Sequence, residues 1–475
     1  MAKIAISCRS TRRPGSELGR IASVNRKTLL GAALVALMAG SGPALAKITE
    51  AEAARLGQDL TPLGAEKAGN ADGSIPAWDG GLTGMLPGVV PGISRPDPFP
   101  NEKPLFTIRA ANVETYKDRL TPGQIALLKR YGDTFYMNVY PTHRTAALPP
   151  EVYQRIKEQA TKVELEDGGY GLSNLGLSTV PFPIPKTGQE AIWNHLVRYR
   201  GQAFDRRVIQ AVVKRDGGFT PMIYHDLLTF RSGTPETPDN ADIVLKIVQK
   251  ILQPQQLSGT TLLGIDRLNP VRQPRQAWMY NAGARRVMRA PEIGYDNPGI
   301  GSDGARTNDN YEMFNGGLDR YDWKLLGKRE VYIPYNANRL DARGIPYTDI
   351  LKPNHLNPEL LRYELHRVWV VEATLKEGMR HLYARRTYYL DEDSWSIVGG
   401  EHYDGRGELW RVSEAHLLQY TEATVPFYCV ETLYDLLGDR YIAFGMNNNE
   451  PYEIKFDWRA DDDFYTPSNL RRIAD

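Results

Sequence analysis

At 475 residues, 41% hydrophobic and 24% charged, the chain has the profile of one large or two ordinary folded domains, which excludes a disordered protein. Formal net charge is +1, and residues 1–46 carry seven Lys/Arg against one acid, Glu17, so the rest of the chain is mildly acidic. That excludes the basic excess of a nucleic-acid binder and the lysine-rich stretch of a protein held on an anionic membrane surface.

The first predicted element is a leader. Arg26-Lys27 precedes an apolar run over 29–39, and Ala44-Leu45-Ala46 follows. A charged n-region, a short h-region and an A-x-A site read as a signal peptide over 1–46, cleaved after Ala46. The competing reading is a cytosolic N-terminal helix. The run is too short to span a bilayer as a helix, so no stable membrane insertion is expected. Cys8 goes with the leader and Cys429 is then alone, so the mature chain is expected to fold without an internal disulfide.

Residues 47–180 read as a helical and irregular extension. Thr49-x-x-Glu52 is a capping box. The Pro/Gly-rich chain from 60 to about 104 lacks periodicity and is expected to run irregularly, pinned by Trp78 and Phe99. Thr121-Pro122-x-Gln124 starts a helix with Gly132 as its stop, and a third helix is expected over 151–163. Alternate prolines at 181–185 forbid helix. Thr187-x-x-Glu190 then caps a helix over 188–200, with Ile192, Leu196 and Tyr199 on its apolar face and Trp193 and His195 beside it.

Strands are expected near 204–214 and 219–230. Residues 240–253 place Ile243, Val244, Ile247, Val248 and Ile251 at helical spacing and read as an amphipathic helix stopped by Pro254. Beyond Gly259 the chain is mostly β: a strand over 260–268, a hairpin of 276–280 with 285–289, and a strand over 323–333. Residues 291–320 form a Gly/Asn/Asp-rich loop too long for a simple connection. An antiparallel meander follows, with strands at 365–375, 380–390, 394–403 and 408–412, and turns at Lys376-Glu377-Gly378, Asp391-Glu392-Asp393 and Asp404-Gly405-Arg406-Gly407. Further strands are expected at 432–437, 439–444 and 452–456, with a C-terminal tail over 461–475.

Catalytic patterns are lacking. The eight histidines show no H-x-x-x-H or H-E-x-x-H spacing, and there is no G-x-S-x-G elbow and no phosphate-binding loop. No catalytic residue, cofactor or metal is therefore expected. Glu401-His402 with Asp404 is the nearest acid–histidine cluster and carries the alternative reading, a periplasmic hydrolase.

Several stretches resemble a family of unknown function, common in Gram-negative bacteria, whose members carry a lipoprotein-carrier (LolA/LolB-like) fold. They are LTPLGAEKAGNADGSIPAWDGG (60–81), YPTHRTA (140–146), PFPIPKTGQEAIWNHLVRYRG (181–201), QAWMYNAGARRVMRA (276–290) and RVWVVEATLKEGMRHLYARRTYYLDEDSWSI (367–397). The resemblance implies a mainly β (α+β) protein. Its half-open antiparallel barrel would be curved, covered by helices, and span 181–460 behind the N-terminal extension. It also implies a periplasmic carrier or binding protein for a hydrophobic ligand, such as a lipid, a lipoprotein acyl chain or an apolar small molecule, acting in envelope transport. An inner-membrane exporter is the implied partner. A non-carrying accessory protein that docks on such an exporter is the other alternative.

A carrier needs an apolar concave lining and a movable cover rather than a reacting group. The strand aromatics Trp278, Tyr280, Trp323, Trp369, Tyr383, Tyr389 and Trp395 are the candidate lining. The run with Ile243, Ile247 and Ile251 is the candidate lid. Arg286 and Arg385 are candidate charges at the barrel mouth, where they could meet a headgroup. Ordinary core packing and surface ion pairing, such as Glu372 with Arg385, compete with these readings.

Overall fold

The meander expected over 363–414 lies in the middle of one 15-stranded sheet. The computed structural model describes residues 47–290 and 295–474; the leader reading over 1–46 falls outside them. Four short strands come first: β1 (Phe106–Ile108), β2 (Met137–Val139), β3 (Glu164–Glu166) and β4 (Gly171–Ser173). Six follow in the middle of the chain: β5 (Ala203–Val213), β6 (Pro221–Phe230), β7 (Ile243–Gln253), β8 (Thr261–Arg267), β9 (Gln276–Asn281) and β10 (Arg286–Arg289). The last seven are β11 (Tyr321–Pro334), β12 (Tyr363–Leu375), β13 (Arg385–Asp391), β14 (Ile397–Tyr403), β15 (Leu409–Tyr420), β16 (Val425–Asp435) and β17 (Arg440–Met446). The sheet order is β1-β2-β12-β13-β14-β15-β16-β17-β5-β6-β7-β8-β9-β10, with β11 also paired to β12. Among the described residues the path ends on β1 and β10 and does not close on itself.

Local chemistry explains the turns. Gly378 takes φ +80°, and Asp404 caps its turn by accepting from the Arg406 and Glu408 amides at 2.9 and 3.0 Å. The meander matches expectation in order and pairing, but β13 starts at Arg385, β14 starts at Ile397 so that Trp395 lies in the turn with φ 58°, and β15 runs on to Tyr420. The predicted Arg385–Glu372 ion pair forms, at 3.4 Å.

One expectation is overturned. The run with Ile243, Ile247 and Ile251 is the strand β7, not a helix, and so cannot be a helical lid. It pairs with β6 on one side and β8 on the other, and both faces are covered: Ile243, Val244, Leu245, Val248 and Ile251 are all buried. An apolar run without clean alternation fits either a helix face or a strand buried on both faces. The β-branched residues decide for the strand, since their stiff χ1 suits a pleated surface flanked by neighbours. Ile247 sits against Gly264, where a Cβ would lie 3.0 Å from its Cγ2.

The helices follow their capping boxes. Thr121 caps α1 (Pro122–Arg130), α2 covers Pro150–Gln159, and Thr187 caps α3 (Gly188–Val197) by accepting from the Glu190 amide. In α3 eight of ten residues are buried, Ile192, Trp193 and His195 among them, so this helix is core material against the sheet. Each large apolar side chain buried there contributes roughly 1.5–3 kcal/mol. The extension is irregular where expected. Trp78 packs edge-on against Tyr153 at 6.4 Å, and Phe99 stacks on His143 at 3.8 Å. Residues 47 onward form one compact unit. Among the described residues no helix is long and apolar enough to cross a membrane.

Candidate functional site

The long loop before β11 does more than connect. Its Asp309 carboxylate accepts from Arg386 Nη2 at 2.7 Å and lies 3.1 Å from His381 Nε2. The Arg386 guanidinium and the His381 and Thr307 contacts hold that carboxyl well below the usual range, against its burial. Three residues on, Glu312 accepts from Arg198 and Arg200, both at 2.7 Å. Glu312 and Met313 both take positive φ, 49° and 69°. That backbone is costly for non-glycine residues and persists only where the surroundings over-determine it. Here they do: His195 on α3 contacts the carbonyls of Glu312 and Phe314 at 3.0 and 3.2 Å, and Glu431 accepts from the Met313 amide at 2.8 Å. The loop is therefore locked onto α3 and the sheet.

Between this loop, α3 and the adjoining ends of β7 and β8 lies a cleft of about 290 Å³. Trp193 and Leu196 come from α3, Val244 from β7, and Pro270 and Pro274 from the segment after β8. They make its apolar side. Its polar side is charged but internally balanced. Arg275 forks onto Asp266 at 2.5 and 2.8 Å and also donates to the Asn315 carbonyl. Arg320 lies 3.7 Å over the Tyr295 ring and donates to the Arg380 carbonyl. Gly317 packs closely at the wall, where a Cβ would come within 2.7 Å of Asp319 Oδ1 and 2.8 Å of the Tyr295 hydroxyl. A wider, polar groove shares Arg267, Pro274 and Arg275 with the cleft and adds Arg272 and Arg289. The arrangement can seat an apolar group against Trp193, Leu196 and Val244, beside a polar side whose arginines are paired: Arg267 with Asp242, Arg275 with Asp266 and Arg320 with Asp296.

None of the seven candidate lining aromatics borders this cleft. Trp323 is buried against Phe314 and Tyr388, with its Nε1 on the Leu318 carbonyl. Tyr383 accepts from Arg411 at 2.8 Å and Tyr389 donates to Glu401 at 3.2 Å, both in the core. Trp369 and Trp395 stack at 6.1 Å. Trp278 and Tyr280 pack with Tyr465, Leu470 and Ala474 of the C-terminal segment. Arg286 is exposed on β10, and Arg385 lies 3.5 Å over the Tyr403 ring. Arg275 and Asp266 went unrecognised in the sequence; the two prolines bracketing a basic segment, Pro270 and Pro274, were the available signal.

Glu401 and His402 are adjacent on β14 and so face opposite ways. Glu401 accepts from the Gly123 amide, Tyr389 and Tyr403, while His402 meets Ser413 Oγ at 3.1 Å. They share no site.

A second concentration of charge surrounds the β13–β14 turn. Asp391, Glu392 and Asp393, expected as an ordinary hairpin turn, are all buried. Arg144 grips Asp393 with Nε and Nη2 at 2.8 and 2.7 Å. Glu392 takes Arg367 and Lys328 at 3.2 and 2.7 Å. The extension wraps this knot: the Leu63 carbonyl accepts from Trp395 Nε1 and the Ala68 carbonyl from Arg367. Three of the stretches that carried the family resemblance, 60–81, 140–146 and 367–397, meet here.

These features define a mainly β protein with helices, in which an open sheet, a buried helix and a locked loop frame a small amphipathic cleft. The chain belongs to the family described as "Protein of unknown function (DUF1329)", whose profile matches residues 107–471. It is 51% identical over 450 residues to the uncharacterized protein PA3922 of Pseudomonas aeruginosa, covering 94% of this chain and 98% of that relative. Among solved structures it is similar to a DUF1329 family protein from Desulfovibrio piger, at 14% identity, 57% and 92% coverage and TM-score 0.39. It is also similar to a LolA superfamily protein from Nitrosomonas europaea, at 13% identity, 59% and 98% coverage and TM-score 0.35.

Proposed function

We propose that the chain is an exported periplasmic protein that binds and carries a small hydrophobic or amphiphilic ligand in envelope transport, with its sheet as the curved wall of a LolA/LolB-type half-barrel. The observation that carries this reading is the cleft itself, with Trp193, Leu196 and Val244 on one side and ion-paired arginines on the other. Apolar surface buried there contributes about 25 cal/mol per Å². At about 290 Å³ the cleft is near the lower end of the ~300–1,000 Å³ range of small-molecule sites, so it suits a single small amphiphile or one segment of an acyl chain. Release to a partner, such as an inner-membrane exporter, would then require the locked loop to move.

The test is mass spectrometry of an organic extract from natively purified protein. A stoichiometric lipid or apolar molecule is expected, and Leu196→Trp, which fills the cleft, is expected to remove it. An extract with no such molecule, or one unchanged by Leu196→Trp, would overturn the reading.

A further inference from the structure

The acids of the β13–β14 turn are not equally provided for. Asp393 has Arg144, and Glu392 has Arg367 and Lys328. Asp391 is fully buried and has no ion pair with Lys or Arg among the described residues. Its Oδ2 accepts from Ser394 Oγ at 2.6 Å and from the Tyr335 hydroxyl at 3.4 Å, and its buried Oδ1 makes no hydrogen bond of full geometry among the described residues. An unpaired carboxylate oxygen in the core is expensive unless something positive meets it.

What stands beside it is His366 of β12. The ring is 1% exposed and is held face-on by Tyr335, with centroids 4.0 Å apart. Its Nε2 faces Glu364 Oε2 at 3.2 Å. Glu364 is fixed in turn by Arg362, Asn336 and the His143 amide. A histidine that donates one ring N–H to an anchored carboxylate and keeps the other nitrogen's lone pair is oriented as metal-ligating histidines are. One ligand atom each from His366, Asp391 and Asp393 lie within 4.8 Å of one another. Asp393 already receives Arg144, but a carboxylate has about four acceptor positions, so it can hold an N–H on each oxygen and still bind an ion.

We propose that His366, Asp391 and Asp393 bind one divalent transition-metal ion, zinc above all, as a structural staple under the extension. A mixed imidazole and carboxylate set suits zinc and disfavours magnesium and calcium, which take oxygen ligands. The ion would neutralise Asp391 and tie β12 to the β13–β14 turn. Sequence spacing gives no sign of this site, because the ligands come from a strand and a turn that only the fold brings together. The inference does not depend on ligand carriage.

Elemental analysis of the full chain, purified without chelators and then unfolded and refolded with Zn²⁺, tests it. About one zinc per chain is expected for the wild type, since three protein ligands define one site. Asp391→Asn and His366→Gln are expected to lose it. Glu364→Gln, which only loosens the histidine, is expected to weaken zinc binding by roughly 10–100-fold. Asp391→Asn removes a lone buried charge, so it is expected to melt no lower than the wild type when both are metal-free. Substoichiometric zinc in the refolded wild type, equal zinc in wild type and Asp391→Asn, or a metal-free Asp391→Asn chain that fails to fold would each overturn the proposal.

Discussion

Glu414 shows how much a single buried acid in this sheet contributes. It lies on β15 with Oε2 accepting from the Tyr363 hydroxyl at 3.0 Å, and Gln124 Nε2 lies 3.4 Å from Oε1. Burial pushes its carboxyl up to about 7, against the pull of those two hydrogen bonds. Burial likewise pushes Glu431 and Asp341 up to about 7. An acid whose folded value is raised binds a proton in the native state that the unfolded state has already lost. Its stabilisation is complete below the unfolded value and disappears as pH rises through the folded one. These groups therefore make the protein less stable at pH 8 than at pH 5. Glu414→Gln keeps the hydrogen-bonding shape without the charge. Urea unfolding of this variant should show a gain on the order of 2 kcal/mol over the wild type at pH 8 and almost none at pH 5. Equal effects at both pH values would show that Glu414 is not protonated by burial. Asp309 works in the opposite sense: its lowered carboxyl contributes above the ordinary carboxylate range, and that contribution is lost as pH falls below it.

At the scale of elements, the loop before β11 depends on a few ionic anchors. Asp309→Asn would leave Arg386 buried without its carboxylate, a change that costs about 3–5 kcal/mol where a buried pair is broken. The expected outcome is faster amide exchange over residues 295–320, read by mass spectrometry, with the β12–β15 strands still protected. Uniform exchange across loop and sheet would mean the loop is not a separable unit. This part of the molecule also marks the limit of what the sequence discloses. The capping boxes at Thr49, Thr121 and Thr187 and the turns at Gly378 and Asp404 were legible because each is a contact within a few residues. The strand β7 was not, because its character depends on β6 and β8 standing on either side. The cleft was not legible either. Trp193, Val244 and Arg275 lie far apart in the chain, and only the path of the loop between them makes a wall. The seven aromatics do not border this cleft for the same reason: alternation assigns a face to a strand residue but does not say which face meets a cavity.

At the scale of the whole molecule, the question is whether residues 47–180 are an appendage or part of the fold. β2 joins the large sheet through a parallel pairing of Val139 with Tyr363, and β1 extends that edge. Arg144 supplies the guanidinium for Asp393, and Leu63 and Ala68 supply carbonyls for Trp395 and Arg367. The extension thus satisfies polar groups that would otherwise be buried and unpaired, which ties it to the sheet. Heat or urea should unfold residues 47–475 in one cooperative transition. Arg144→Met keeps the bulk of the side chain but strands Asp393, and should lower stability by about 3–5 kcal/mol across that whole transition. Calorimetry decides the matter. Two resolved transitions, with Arg144→Met shifting only the smaller, would make the extension a separate domain. A single transition displaced as a whole would place the knot around Asp391–Asp393 at the centre of the molecule's cooperativity, where loosening the extension also loosens the wall of the cleft.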